Sequence, residues 1–128
     1  MIYFRSIRNA SPYEFDSVWA IVRSFKNPSK NIIHVPTLSP NWDLFKKYLK
    51  LKEDGNWNDY TFSTIYEPEF RHQIDNDPEA QRLLDVLCRL DSEGKNIALV
   101  CFCPDWRLCH RKIIAEMLSK RGCQVNLK

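Results

Sequence analysis

Hydrophobic positions along the chain follow two periods. Short runs of β-formers, Ile2-Tyr3-Phe4, Val18-Trp19-Ala20-Ile21-Val22 and the stretch from Asn96 to Cys101, read as strands. Gln124-Val125-Asn126-Leu127 reads as a closing strand, and Asn31–Val35 offers one more short extended piece inside an otherwise loop-like segment from Ser24 to Leu38. Between them the spacing turns helical. Ser11-Pro12-Tyr13-Glu14 fits a capping box with one helical turn behind it, and Ser39-Pro40 opens a helix by the same logic. Trp42, Phe45, Tyr48 and Leu49 carry that helix's apolar face, with Lys46, Lys47, Lys50 and Lys52 as its solvated face and Gly55 as its stop. Trp57, Tyr60, Tyr66 and Phe70 mark an aromatic helix that Pro68 should kink or split. Asp77-Pro78 caps a clearer one, with Leu83, Leu84, Leu87 and Leu90 on one face and Gly94 beyond its end.

The last third reads strand, helix, strand, with Gly122 ending the helix. Such units are right-handed and imply a parallel sheet covered by helices. The expected class is therefore α/β: one domain over residues 1–128, with a mainly parallel sheet of about four strands between helices in three layers.

Composition narrows this only a little. At 128 residues the chain is long enough for one core and too short for two. Three glycines in all argue against a glycine-rich phosphate loop. A net charge of +3 is compatible with a nucleotide or nucleic-acid partner without requiring one. No stretch approaches the roughly 20 apolar residues of a membrane span, so no membrane partner is expected. The first residues lack the uninterrupted apolar run of a signal peptide, and five cysteines then point to reduced thiols and a cytoplasmic location. Cys88 and Cys123 are expected to be free and buried as small hydrophobes. Protein partners are left open.

The chemistry concentrates after the strand that starts at Asn96. It empties into a loop holding Cys101, Cys103 and Cys109, and Cys109-His110-Arg111 opens the next helix. Open sheets place ligands at the carboxyl ends of their strands. Free N–H groups and the positive end of a helix favour thiolates there. Cys109 fits that electrostatic setting, and Cys101, at the strand end, fits a nucleophile. Cys103 could resolve an oxidised or persulfidated partner. Asp105 could orient a histidine or accept a proton, and Arg107 and Arg111 could pair with an anionic substrate.

Other chemistries fit parts of the same loop. Cys101, Cys103, Cys109 and His110 supply four soft ligands, the number a tetrahedral zinc site needs, although the spacing lacks the usual two-residue knuckle gap. Cys101 and Arg107 satisfy C-x5-R by count, but no glycine lies between Phe102 and Cys109 and Pro104 removes an amide, which argues against a phosphate cradle. A buried cysteine can also be a small hydrophobe and nothing more; the clustering of thiols with the cationic triplet is what favours function.

Val100-Cys101-Phe-Cys103-Pro-Asp105-Trp-Arg-Leu-Cys109-His110-Arg111, followed by an Ile-Ala-Glu-Met-Leu helix, resembles the signature of family 488 of the domains of unknown function, which includes the YeaO-like proteins. That family shows a strand-end cysteine, acidic residues, and a Cys-His-Arg (CHR) motif whose cysteine falls eight residues on, as from Cys101 to Cys109. Tyr3 to Asn9, Ile21-Val22-Arg23, Leu38-Ser39-Pro40, and Trp57 with Tyr60 resemble its other landmarks. The resemblance implies a fold similar to the rhodanese and cysteine-phosphatase group. It also implies roles in nucleic-acid or nucleotide modification, or in conflict between phage and bacterial host. In one respect the chain departs: many relatives carry glutamate two residues after the strand cysteine, where this chain has Cys103.

Taken together, these features predict a cysteine-dependent transferase or hydrolase acting on nucleotides or nucleic acid by sulfur transfer or base modification. Its catalytic set is Cys101, Cys109, His110, Arg111 and Asp105, its substrate-binding set Arg23, Asn9, Arg107 and Cys103, and it needs no cofactor. The alternative is a non-catalytic module that binds nucleic acid or protein through a structural Cys-His-Arg loop, with or without zinc on Cys101, Cys103, Cys109 and His110.

Overall fold

A computed structural model of the chain describes residues 1–8, 10–26 and 31–127. Five strands form a single sheet: β1 (Ile2–Ser6), β2 (Ser17–Ala20), β3 (Ile32–His34), β4 (Ile97–Cys101) and β5 (Val125–Asn126), in the order β3-β2-β4-β1-β5. Every pairing is parallel. The sheet lies between helices in the three-layer α/β arrangement. It has one strand more than the four expected, because Ile32–His34 pairs with Val18–Ala20 as an edge.

The central strand, β4, is buried at all five positions, as a parallel strand covered on both faces must be. Its flanking strands converge on its last residue. Ser6 of β1 lies opposite Cys101, and Ala20 of β2 lies opposite Val100. Beyond the strand ends, the Ile7 amide donates to the Cys101 carbonyl at 3.0 Å and the Ile21 amide to the Val100 carbonyl at 3.0 Å. Cys101 is thus held from both sides.

The helices are α1 (Trp42–Glu53), α2 (Asp59–Thr61), α3 (Glu67–Asp75), α4 (Pro78–Ser92) and α5 (His110–Lys120). Local chemistry moves some boundaries from those expected. Helix α1 begins at Trp42, because the Asn41 side chain, and neither Ser39 nor Pro40, accepts the Leu44 amide at 2.9 Å. Pro36–Leu38 forms a 3-10 turn ahead of it. Ser11-Pro12-Tyr13-Glu14 makes a turn without a helix: the Tyr13 amide donates to Ser11 Oγ, but Asp16 is already bonded at both its amide and carboxylate to Asn96, which draws the chain into β2. The aromatic run is split as expected, through a π-helical turn at Phe62–Tyr66 that joins α2 to α3, with Pro68 in the first turn of α3. Asp77 caps α4 by accepting from the Glu79 and Ala80 amides.

Cys88 and Cys123 are not the free thiols expected. A disulfide joins them across 35 residues, with their Cα atoms 5.5 Å apart. Helical leucines at 84 and 87 supplied a buried face for α4, so Cys88 read as one more small apolar residue; nothing in the local pattern paired it with a residue beyond α5. Among the described residues, no helix is long and apolar enough to cross a membrane.

Candidate active site

The strand order fixes where a ligand crevice forms. From β2 the chain crosses outward to β3, whereas from β4 it crosses the other way to β5. Adjacent strands whose connections diverge leave a gap between their carboxyl ends, the usual ligand position in open α/β sheets. A cavity of about 260 Å³ occupies it. Val22, Arg23 and Ser24 line it from the end of β2, and Cys101, Phe102 and Cys103 from the end of β4. Tyr48 and Lys52 of α1 and Tyr66 of the π turn line it as well.

Three thiols and an imidazole meet at the cavity's inner end. Cys101 Sγ lies 3.1 Å from Cys109 Sγ. The ligand atoms of Cys101, Cys103, Cys109 and His110 all fall within 4.8 Å of one another. Cys101, Cys109 and His110 are buried, while Cys103 is half-buried. Cys109 is the N-cap of α5, in extended geometry, and its sulfur accepts the Arg111 amide at 3.5 Å. Arg111 Nε also donates to that sulfur at 3.4 Å, and the far end of the guanidinium binds the Cys103 carbonyl at 2.7 Å. A buried arginine thereby ties the helix start to the loop.

His110 lies between the sulfurs and the β2 end. Its Nε2 is 2.6 Å from the Ile21 carbonyl, which can only accept, so Nε2 carries a proton. Nδ1 then faces Cys109 Sγ at 3.5 Å, and the ring packs on Phe70 with centroids 5.6 Å apart.

These contacts separate the protonation of the two closest thiols. Burial opposes charge on Cys109, but hydrogen bonds from Cys101 and Cys103 and the facing His110 hold its thiol well below the ordinary value. Cys101 moves the other way: hydrogen bonds with Cys103 and Cys109, then burial, push its thiol well above that value. Burial likewise opposes charge on His110, yet the Cys109 thiolate and hydrogen bonds with Cys103 and Cys109 raise it to about 10. These directions favour charge on Cys109 over Cys101, beside a protonated His110. Tyr48 is pushed up to about 12, first by burial and then by the charge of the thiols.

Four of the five expected catalytic residues, Cys101, Cys109, His110 and Arg111, therefore come together, with Cys103 among them. Asp105 does not join them. It caps the 3-10 turn Trp106–Leu108 through the Arg107 amide and pairs with the Arg107 side chain at 3.1 Å on the surface, so the histidine is oriented by the Ile21 carbonyl instead. Arg107, held in that pair and largely exposed, does not line the cavity. Arg23 does, with its guanidinium anchored on the Pro36 and Pro40 carbonyls and stacked over Trp42. Asn9 lies outside the described residues.

The family described as the "Active DUF488-N3 subclade" (DUF488-N3a) matches residues 5–122. The chain belongs to the DUF488 family. The match runs from the end of β1 to just beyond α5, so it takes in every residue of the thiol cluster. Neither the curated proteins nor the solved structures give a match.

The α1 and π-turn side of the cavity was not among the expected site residues. Tyr48 and Tyr66 could stack bases but at helical spacing read first as core aromatics, and Lys52 read as a solvated lysine. The usable signal was the i, i+4 pair: Tyr48 and Lys52 lie on one face of α1, with Lys52 Nζ 3.4 Å from the Tyr48 hydroxyl.

Proposed function

We propose that this DUF488 chain is a cysteine-dependent enzyme that transfers sulfur to a nucleotide or nucleic-acid substrate, with Cys101 as nucleophile and persulfide carrier. The contact that carries this reading is the 3.1 Å approach of Cys101 to Cys109 at the inner end of a cavity. Cys109 stores negative charge beside His110 and Arg111, and passing the Cys101 proton to it leaves a nucleophilic thiolate on the sulfur that lines the cavity. Attack on the outer sulfur of a persulfide donor, R–S–SH, forms Cys101–S–SH and releases R–S⁻; the carried sulfur then passes to the acceptor. The aromatic walls and the cations Arg23 and Lys52 support a planar, anionic acceptor.

Alkylation with iodoacetamide at graded pH, mapped by mass spectrometry, tests this. Labelling of Cys101 that stays fast below neutral pH and slows at least about tenfold in Cys109→Ser is expected. Slow, ordinary reaction at every thiol would remove the enzyme reading and leave the binding module.

One observation favours a second reading. Four ligand atoms lie within 4.8 Å of one another, and His110 directs Nδ1 at the sulfurs while Nε2 is fixed on a carbonyl, the arrangement of a zinc-bound histidine. Stoichiometric zinc in the purified protein, with unfolding on chelation, is its test. Thiols titrating freely in metal-free, folded protein would exclude it.

A further inference from the structure

Sulfur transfer needs more than a nucleophile. As the thiolate of Cys101 bonds to the donor's sulfur, the bond beyond that sulfur breaks and its electron pair leaves on the departing group. In an apolar cavity that charge must meet a donor. The thiols cannot serve, because they surround the nucleophile. Two groups able to donate come from α1: Tyr48 is half-buried and lines the same cavity as Cys101 and Cys103. Lys52 Nζ, one turn further along α1, reaches the Tyr48 hydroxyl at 3.4 Å and lines the cavity too. A lysine can only donate, so its proton occupies a lone pair of the phenol and leaves the phenol's own hydrogen for the cavity side. The Tyr48 ring is held edge-on against Trp57 at 4.7 Å and against Tyr66 at 6.2 Å, so the hydroxyl is aimed by packing.

We propose that Tyr48, polarised by Lys52, is the hydrogen-bond donor that receives the charge of the leaving thiolate when Cys101 takes sulfur from a donor. This deepens the thiol-enzyme reading and rests on it. It commits the site to donors whose leaving group is a basic thiolate, such as alkyl persulfides and disulfides, because only those gain from a donor.

Two reagents that deliver the same methylthio group separate the step from simple access. With methyl methanethiosulfonate, Cys101–S⁻ forms Cys101–S–S–CH₃ and releases methanesulfinate, a weak base that needs no donor. With dimethyl disulfide the same adduct forms and methanethiolate leaves, which is strongly basic. The quantity read is the ratio of the two rates at Cys101, disulfide over thiosulfonate, followed by mass spectrometry on the full chain. Tyr48→Phe is expected to lower that ratio about tenfold, and Lys52→Met, an exposed substitution, to lower it by a smaller factor. A ratio unchanged in both variants overturns the donor role while the thiol reading stands. Failure of the unmodified protein to take up methylthio from either reagent overturns both.

Discussion

The sulfurs of Cys101 and Cys109 sit 3.1 Å apart, but only the second is an N-cap. Two thiols that touch cannot both ionise, so whichever has the better cations takes the charge. Cys109 has the Arg111 amide, Arg111 Nε and His110 in direct contact, whereas Cys101 is held between the ends of β1 and β2 and touches Cys109. The asymmetry favours charge on the inner sulfur over the one facing the cavity.

The two serine variants should therefore differ. The parent chain is expected to show ultraviolet thiolate absorbance near neutral pH, and Cys109→Ser to abolish it. Cys101→Ser is expected to keep it, because a serine hydroxyl still donates to Cys109. Equal loss in both variants would mean that the charge is shared evenly between the sulfurs.

The same pair gives stability a pH window. His110 titrates at about 10 in the folded chain against an ordinary 6.5, so its contribution is complete below the ordinary value and fades as pH rises through about 10. Cys109 is shifted down, so its contribution fades as pH falls through the lowered value, where the thiolate takes up a proton. The thiolate–imidazolium pair then stabilises the fold only between those limits. Urea midpoints measured in acid, neutral and alkaline buffers should trace a plateau that falls on both sides, and His110→Gln should flatten the alkaline fall.

Arg111 is structural as well as electrostatic. It is only 3% exposed, and its guanidinium spans Cys109 Sγ and the Cys103 carbonyl. Arg111→Met keeps the packing stem but loses both bonds, at an expected cost of about 2–3 kcal/mol. Arg111→Lys is expected to recover little, since a point charge cannot bridge both acceptors. Urea unfolding of the two variants beside the parent chain measures this directly.

How far the chain could be read without coordinates depended on whether the signal was local. The run from Ile97 to Cys101 followed by a Cys-His-Arg helix start states strand, loop and helix in consecutive residues, so β4, α5 and the thiol cluster were legible together. Asp105 was misplaced because two partners compete for it: Arg107 is two residues away and His110 is five, and the nearer one wins. The tyrosines read first as core, for the opposite reason. Tyr48 and Cys103 are far apart in sequence, and only the strand order, with its divergence between β2 and β4, brings α1 over the crevice. Ile32–His34 was ambiguous as a strand because three residues at a sheet edge carry too short a pattern to register.

The disulfide makes the last prediction, and position in the sheet decides its form. Because all strands run parallel, residues that precede a strand lie at one end of the sheet and residues that follow one lie at the other. Cys123 precedes β5, and Cys101 ends β4, so the Cys88–Cys123 bridge is remote from the thiol cluster. Closing 35 residues, it restricts the unfolded chain and contributes about 2–4 kcal/mol. Cys88→Ser with Cys123→Ser should lower the unfolding free energy from urea titration by that amount while the ultraviolet thiolate titration stays where it was. A shift in the titration would mean that the bridge, through α5, also sets the position of Cys109. Loss of stability alone would mean that it acts on the fold and leaves the chemistry to the opposite end of the sheet.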